Sequence, residues 1–70
     1  MAEVKVFSDP EGQTLTVWFT DRATEYVCEE TGDEVVLMKD ATGRVIGIEK
    51  LNFSIPDSER FRVAVETAPA

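Results

Sequence analysis

The segment Thr14-Leu15-Thr16-Val17-Trp18-Phe19-Thr20 constrains the fold more than any other stretch of the chain. Every position but Leu15 is β-branched or aromatic. Such side chains lose rotamer freedom in a helix and suit a pleated surface. Leu15, Val17 and Phe19 project to one side of an extended backbone, and Thr14, Thr16, Trp18 and Thr20 to the other. A strand with one apolar side, and a single tryptophan among threonines on the other, is the element around which the rest must be arranged.

Shorter segments repeat the pattern. Val4 and Val6 alternate with Glu3 and Lys5 and lead to Phe7, a first strand. Asp9-Pro10-Glu11-Gly12-Gln13 joins it to the second, with Pro presetting φ and Gly free to take φ > 0. Asp21 to Thr24 breaks the run, and Glu25 to Cys28 reads as an edge or a bulge. Glu29-Glu30-Thr31-Gly32-Asp33 is a turn cluster, and Val35-Val36-Leu37-Met38 a third strand that is apolar on both faces. Asp40-Ala41-Thr42-Gly43 is the clearest turn. Arg44 to Leu51 is a fourth strand, in which Gly47 marks a bulge or a place where a large side chain crosses close to the backbone. Asn52 to Ser58, with Pro56, ends this series.

The tail has two readings. Phe61, Val63 and Val65 alternate with Arg62, Ala64 and Glu66, as in a strand, while Phe61, Ala64, Val65 and Ala68 fit helical spacing. Three residues after Ser58 stands Phe61 rather than Glu or Gln, so no capping box opens a helix. Alternation favours a fifth strand, with a short helix packed on the sheet as the alternative, and Thr67 to Ala70 is expected to fray. The chain is thus expected to be mainly β, a small antiparallel meander of four to five strands in a single domain over residues 1–70. One face collects Val4, Val6, Leu15, Val17, Phe19, Leu37 and Ile46 or Ile48. The other carries Phe7, Trp18, Val36 and Met38. One small sheet cannot cover both.

Size sharpens this difficulty. A chain of 70 residues buries only about 60% of the surface its unfolded state exposes. Small domains compensate with disulfides, metals or partner subunits. Cys28 is the one cysteine and histidine is absent, so neither an internal disulfide nor a zinc site is expected. Self-association as a homodimer is the remaining support.

Charge narrows the partners. Seven Lys and Arg against fourteen Asp and Glu give a net charge of −7. The basic residues are scattered, so no nucleic acid partner is expected. Glu25, Glu29, Glu30, Asp33 and Glu34 crowd one segment. They would repel an anionic membrane and attract a basic protein, or simply form a solvated loop. Met1-Ala2-Glu3-Val4-Lys5 has no apolar core of a secretory signal, and no apolar run approaches the roughly 18 residues of a spanning helix. A cytoplasmic location is expected.

Catalytic chemistry finds little to work with. Cys28 has no histidine to activate it and lies among acids. Glu29 with Glu30, or Asp33 with Glu34, would need a cleft that a sheet this small scarcely provides. Asp40, Thr42 and Glu49, or Glu29, Asp33 and Glu34, supply oxygen atoms but no EF-hand spacing, and turn chemistry already explains Asp40 and Gly43. No catalytic, cofactor or metal residues are therefore assigned, and no enzyme is expected. The candidate interface is Trp18, Val36, Met38 and Phe7. Trp18, placed among threonines, requires cover either from the tail (Phe61, Val63, Val65) or from another subunit.

Asp9-Pro10-Glu11 before the strand at Leu15 to Phe19, and then Asp40-Ala41-Thr42-Gly43-Arg44-Val45-Ile46-Gly47-Ile48-Glu49 followed by Leu51-Asn52, carry a resemblance. Over about Val4 to Ser54 the chain resembles the small bacterial domain-of-unknown-function family 2283. Gln13 and Thr16 depart from that family's usual pattern. The resemblance implies a β-rich fold and carries no catalytic residues. Some relatives look like partners of small neighbouring proteins in toxin–antitoxin-like pairs. The expected function is accordingly a protein–protein interaction module, the partner of a small basic protein. The alternative is a small-ligand-binding domain with its pocket between the sheet and the C-terminal segment.

Overall fold

Strands form where alternation and turn chemistry coincide, and a computed structural model describes residues 3–20, 26–56 and 60–69 of the chain. They are β1 (Lys5–Asp9), β2 (Thr14–Trp18), β3 (Val27–Glu30), β4 (Val35–Lys39) and β5 (Val45–Lys50). All neighbouring pairs are antiparallel, in one open sheet of order β1-β2-β5-β4-β3. The mainly β, antiparallel expectation holds. No helix is present among the described residues, and so none is long and apolar enough to cross a membrane.

The meander is interrupted once. β2 lies beside β5 rather than β3, so β5 and β4 stand between these two consecutive strands. The composition of the strands explains the order. β3 carries Glu29 and Glu30 and is exposed throughout, as suits an edge. β5 holds Val45, Ile46 and Ile48 and takes a central place. The expected break at Asp21–Thr24, the acid Glu25 and the capping test at Ser58 lie outside the described residues.

The fifth strand is therefore Val27–Glu30, and the tail does not supply it. Residues 60–69 hold neither strand nor helix. Alternation fixes which way side chains would point, yet it provides no partner for backbone N–H and C=O groups. The chain leaves the sheet through Asn52 (φ 53°), and Phe53 donates its N–H to the Gln13 carbonyl at 2.7 Å. Phe61 then packs edge-on against Phe53, centroids 5.9 Å apart.

The turns are held by short carboxylates. Asp9 Oδ1 accepts the N–H groups of Glu11 (3.1 Å) and Gly12 (3.0 Å). The left-handed position of that turn is Gln13 (φ 56°), not Gly12 as expected. Asp40 Oδ1 accepts from Thr42 N–H (2.9 Å), Thr42 Oγ1 (2.7 Å) and Arg44 N–H (3.0 Å). Gly43, at φ 86°, returns its N–H to the Asp40 carbonyl at 3.0 Å. Glu34 also takes a left-handed φ of 61°. Its carboxylate accepts from Lys50 Nζ (3.2 Å) and Asn52 Nδ2 (3.0 Å), and its carbonyl from Leu51 N–H (2.7 Å).

The core is correspondingly thin. Among the described residues only Val36, Met38 and Ile46 are buried hydrophobics, with Trp18, Tyr26 and Leu51 packed against them. The radius of gyration is 13.7 Å. A compact chain of this length would have one of about 11 Å. One layer spread this widely leaves apolar surface on both sides.

The turn carboxylates make stability depend on pH. Hydrogen bonds from Lys50 and Asn52 lower the Glu34 pKa, and bonds from Thr42 and Arg44 lower that of Asp40. A carboxylate whose pKa is depressed on folding stabilises the fold above its unfolded value, and the stabilisation disappears as pH falls through the folded value. Denaturant midpoints should thus fall on acidification below the ordinary carboxylate range. Asp40→Asn and Glu34→Gln together should flatten that fall, and a profile unchanged by both would assign the acid sensitivity elsewhere.

Candidate functional site

Register assembles the site. Lys5, Trp18, Gly47, Met38 and Cys28 form one cross-strand row, and Phe7, Thr16, Glu49, Val36 and Glu30 the next. Residues directly opposite in antiparallel strands share a face. The expected interface residues Phe7, Trp18, Val36 and Met38 therefore lie together on one side of the sheet. Val6, Leu15, Val17, Ile48 and Leu37 lie on the other.

Trp18 lies across Gly47. A Cβ added to this glycine would stand 2.8 Å from Trp18 Cε3, 3.0 Å from the Val17 carbonyl oxygen and 3.1 Å from Met38 Cε. The tryptophan and methionine thus fill the space a side chain would occupy. Both expectations for Gly47 meet here, since the register also shifts beside it, between Met38 and Lys39. A bulge of this kind re-aims neighbouring side chains.

The ring that meets Trp18 belongs to Tyr26, with centroids 5.4 Å apart and planes at 76°. Tyr26 stands just before β3, at the far edge of the sheet. Its contact with Trp18 draws the end of the β2–β3 link over this face. Of the two covers expected for Trp18, the tail is not the one seen, because Phe61 packs on Phe53 and Val65 remains 88% exposed.

Between these groups lies an open concavity of about 700 Å³, lined by Lys5, Val6, Phe7, Thr16, Trp18, Tyr26, Cys28, Met38 and Glu49. Its floor contains the buried Thr16, whose hydroxyl donates to Glu49 Oε2 at a long 3.5 Å. Its walls are aromatic and thioether. Phe7 stands at the rim, 61% exposed. Among the described residues none of the C-terminal segment lines it, and Tyr26, just before β3, does. Cys28 is exposed on the same face.

The acidic pairs do not converge. Glu29 and Glu30 belong to β3, not to a turn, and project to opposite faces. Glu29 pairs with Lys39, while Glu34 is engaged by Lys50 and Asn52. Asp40 is occupied by its own turn. Among the described residues, no three His, Cys, Asp or Glu side chains come together in a way that could hold a metal ion. Sequence reasoning missed Tyr26, and it weighed Glu49 only as a metal ligand. The signal for Tyr26 was weak, an aromatic one position before a short strand.

Crowding at Gly47 has a measurable consequence. Gly47→Ala should destabilise the protein by ~1–3 kcal/mol, the usual cost of overpacking. It should also shift the emission of Trp18, the single tryptophan. Equilibrium unfolding in urea with fluorescence detection reads both, and an alanine variant of unaltered stability and emission would contradict the crossing.

The model of the family described as protein of unknown function (DUF2283) matches residues 5–54, the span that contains all five strands and their turns. No curated protein and no solved structure matches the chain. With 50 of its 70 residues matched, the chain belongs to the DUF2283 family.

Proposed function

We propose that the chain is a protein–protein interaction module whose working surface is the face built on Trp18. The observation that carries this reading is Phe7, a large aromatic left 61% exposed at the rim of an aromatic groove. Apolar patches rimmed by polar groups are typical of interfaces, and tryptophan and tyrosine are enriched where binding energy concentrates. The setting we favour is a toxin–antitoxin-like pair in which the partner is a small basic protein. A net charge of −7 would speed such an encounter. Intracellular action in the cytoplasm, with neither nucleic acid nor membrane as partner, accords with the same charge.

A second reading has one observation in its favour. The concavity of about 700 Å³ falls within the range of small-ligand pockets, roughly 300–1,000 Å³. Its breadth and exposed rim suit a side chain or a loop of another protein better than an enclosed small molecule.

Co-purification from the native host tests the proposal, with Trp18 as an internal reporter. A stoichiometric small basic protein should be retained, should shift Trp18 emission to the blue, and should bind at least tenfold more weakly to Phe7→Ala. A partner whose binding leaves Trp18 emission and the Phe7→Ala affinity unchanged would overturn the reading. So would the absence of any partner across several growth conditions.

A further inference from the structure

The two edges of the sheet are chemically different. β3, at one edge, presents Val27, Cys28, Glu29 and Glu30. β1, at the other, reads Lys5-Val6-Phe7-Ser8-Asp9, with a cation at one end and an anion at the other. Reversed against itself about Phe7, this sequence is self-complementary. Lys5 meets Asp9, Val6 meets Ser8, and Phe7 meets Phe7.

The backbone agrees with this register. Phe19 N–H donates to the Ile46 carbonyl at 2.8 Å, in the same register as β2 on β5. Backbone groups of alternate residues point to opposite neighbours. Leu15 and Val17, like Phe19, therefore bond toward β5, while Thr14, Thr16 and Trp18 bond toward β1. Their partners Asp9, Phe7 and Lys5 are consequently engaged by β2. The N–H and C=O groups of Val6 and Ser8 are left pointing off the free edge. An antiparallel copy centred on Phe7 sets Val6 opposite Ser8, so that outward groups meet outward groups. Shifting the centre to Val6 sets Phe7 against Lys5 and Glu3 against Asp9. Shifting it to Ser8 sets Val6, inside the strand, against Pro10, which has no N–H to give, whereas the Phe7 centre meets Pro10 only at Val4, before β1 begins.

We infer that two copies of this chain join through β1 about a twofold axis at Phe7, making one ten-stranded sheet. The inference rests on the reading of the Trp18 face as an interaction surface, and it names the first occupant of its open side. Lys5, Phe7 and Asp9 lie on that face, so the second copy brings its own Phe7 and Lys5 to the rim of the groove. Positions opposite one another without hydrogen bonds approach most closely, with Cα atoms about 4.5 Å apart. The two Phe7 rings and both Lys5–Asp9 pairs occupy such positions. A twofold edge contact also closes on itself and leaves no free β1 edge to extend further. At β3 the same operation would crowd four glutamates into two short strands, which disfavours self-pairing there.

Sedimentation equilibrium on the full chain, over a hundredfold range of concentration, tests this with three variants. Wild type should reach the dimer mass. Phe7→Glu and Phe7→Lys should each weaken the dimer at least tenfold, because like charges face each other at the axis. An equimolar mixture of the two should recover it as a heterodimer. Ser8→Pro removes an outward N–H and should abolish pairing, with the circular dichroism of the sheet retained. A wild type that stays monomeric overturns the inference, and the interaction reading then stands or falls with the co-purified partner. A dimer that is indifferent to both Phe7 variants, or one that their mixture fails to restore, overturns this edge and register while leaving an interaction module in place.

Discussion

The ring of Trp18 resting on the bare backbone of Gly47 organises the whole sheet. A one-layer domain has no second layer to cover a large aromatic. This chain supplies cover from within the sheet, by omitting a side chain on the neighbouring strand. The contact requires β2 to lie beside β5, because only there does Trp18 face Gly47. A slip of one residue would set the indole against Ile46 or Ile48 and exchange the faces of the strand. Met38 reaches the same glycine from β4, and so three neighbouring strands are keyed to one position. Tyr26 then closes over the indole from the link that the unusual strand order creates.

Much of this could be read from residue types, and the failures share a cause. Period-2 alternation at Thr14–Trp18 and the Asp–Gly chemistry at Asp40–Gly43 are local, and each produced the element expected. The grouping of Phe7, Trp18, Val36 and Met38 was also legible, since strand parity alone assigns faces. Strand order was not. It depends on which strand tolerates an edge, and the acids of β3 decide that only in competition with β5. The tail shows the same limit. Phe61, Val63 and Val65 have the pattern of a strand, but pattern does not provide a ladder. Tyr26 was missed because its role depends on a contact with a residue at the opposite side of the sheet.

Stability and surface compete for the same side chains. The three buried hydrophobics among the described residues are a small core, and a second layer over Trp18 would enlarge it. That layer would also occlude the groove. The structure instead places much of its local order in turns. The carboxylates of Asp9, Asp40 and Glu34 hold backbone groups or neighbouring side chains in place without using apolar area. Surface ion pairs such as Lys50–Glu34 add little on their own. Their value here is geometric, since Glu34 keeps a left-handed φ that few glutamates adopt.

The distribution of charge across the groove bears on how two partners could share it. Lys5 stands at the β1 side, Glu49 on the central strand β5, and Glu30 at the β3 edge in the row of Phe7. The β1 side of the face thus carries both charges, Asp9 as well as a Lys5 that pairs with Glu3 at 3.8 Å, while the β3 side is acidic. A twofold contact through β1 would bring these mixed-charge sides together, each Lys5 set opposite Asp9 of the other copy. The acidic β3 edges would then be outermost, at both ends of the joined sheet. A basic protein approaching such an assembly meets its strongest attraction away from the twofold axis. Self-pairing through the β1 edge would leave both Phe7 rings on the shared face, so a partner drawn in by the acidic edges would still meet them there.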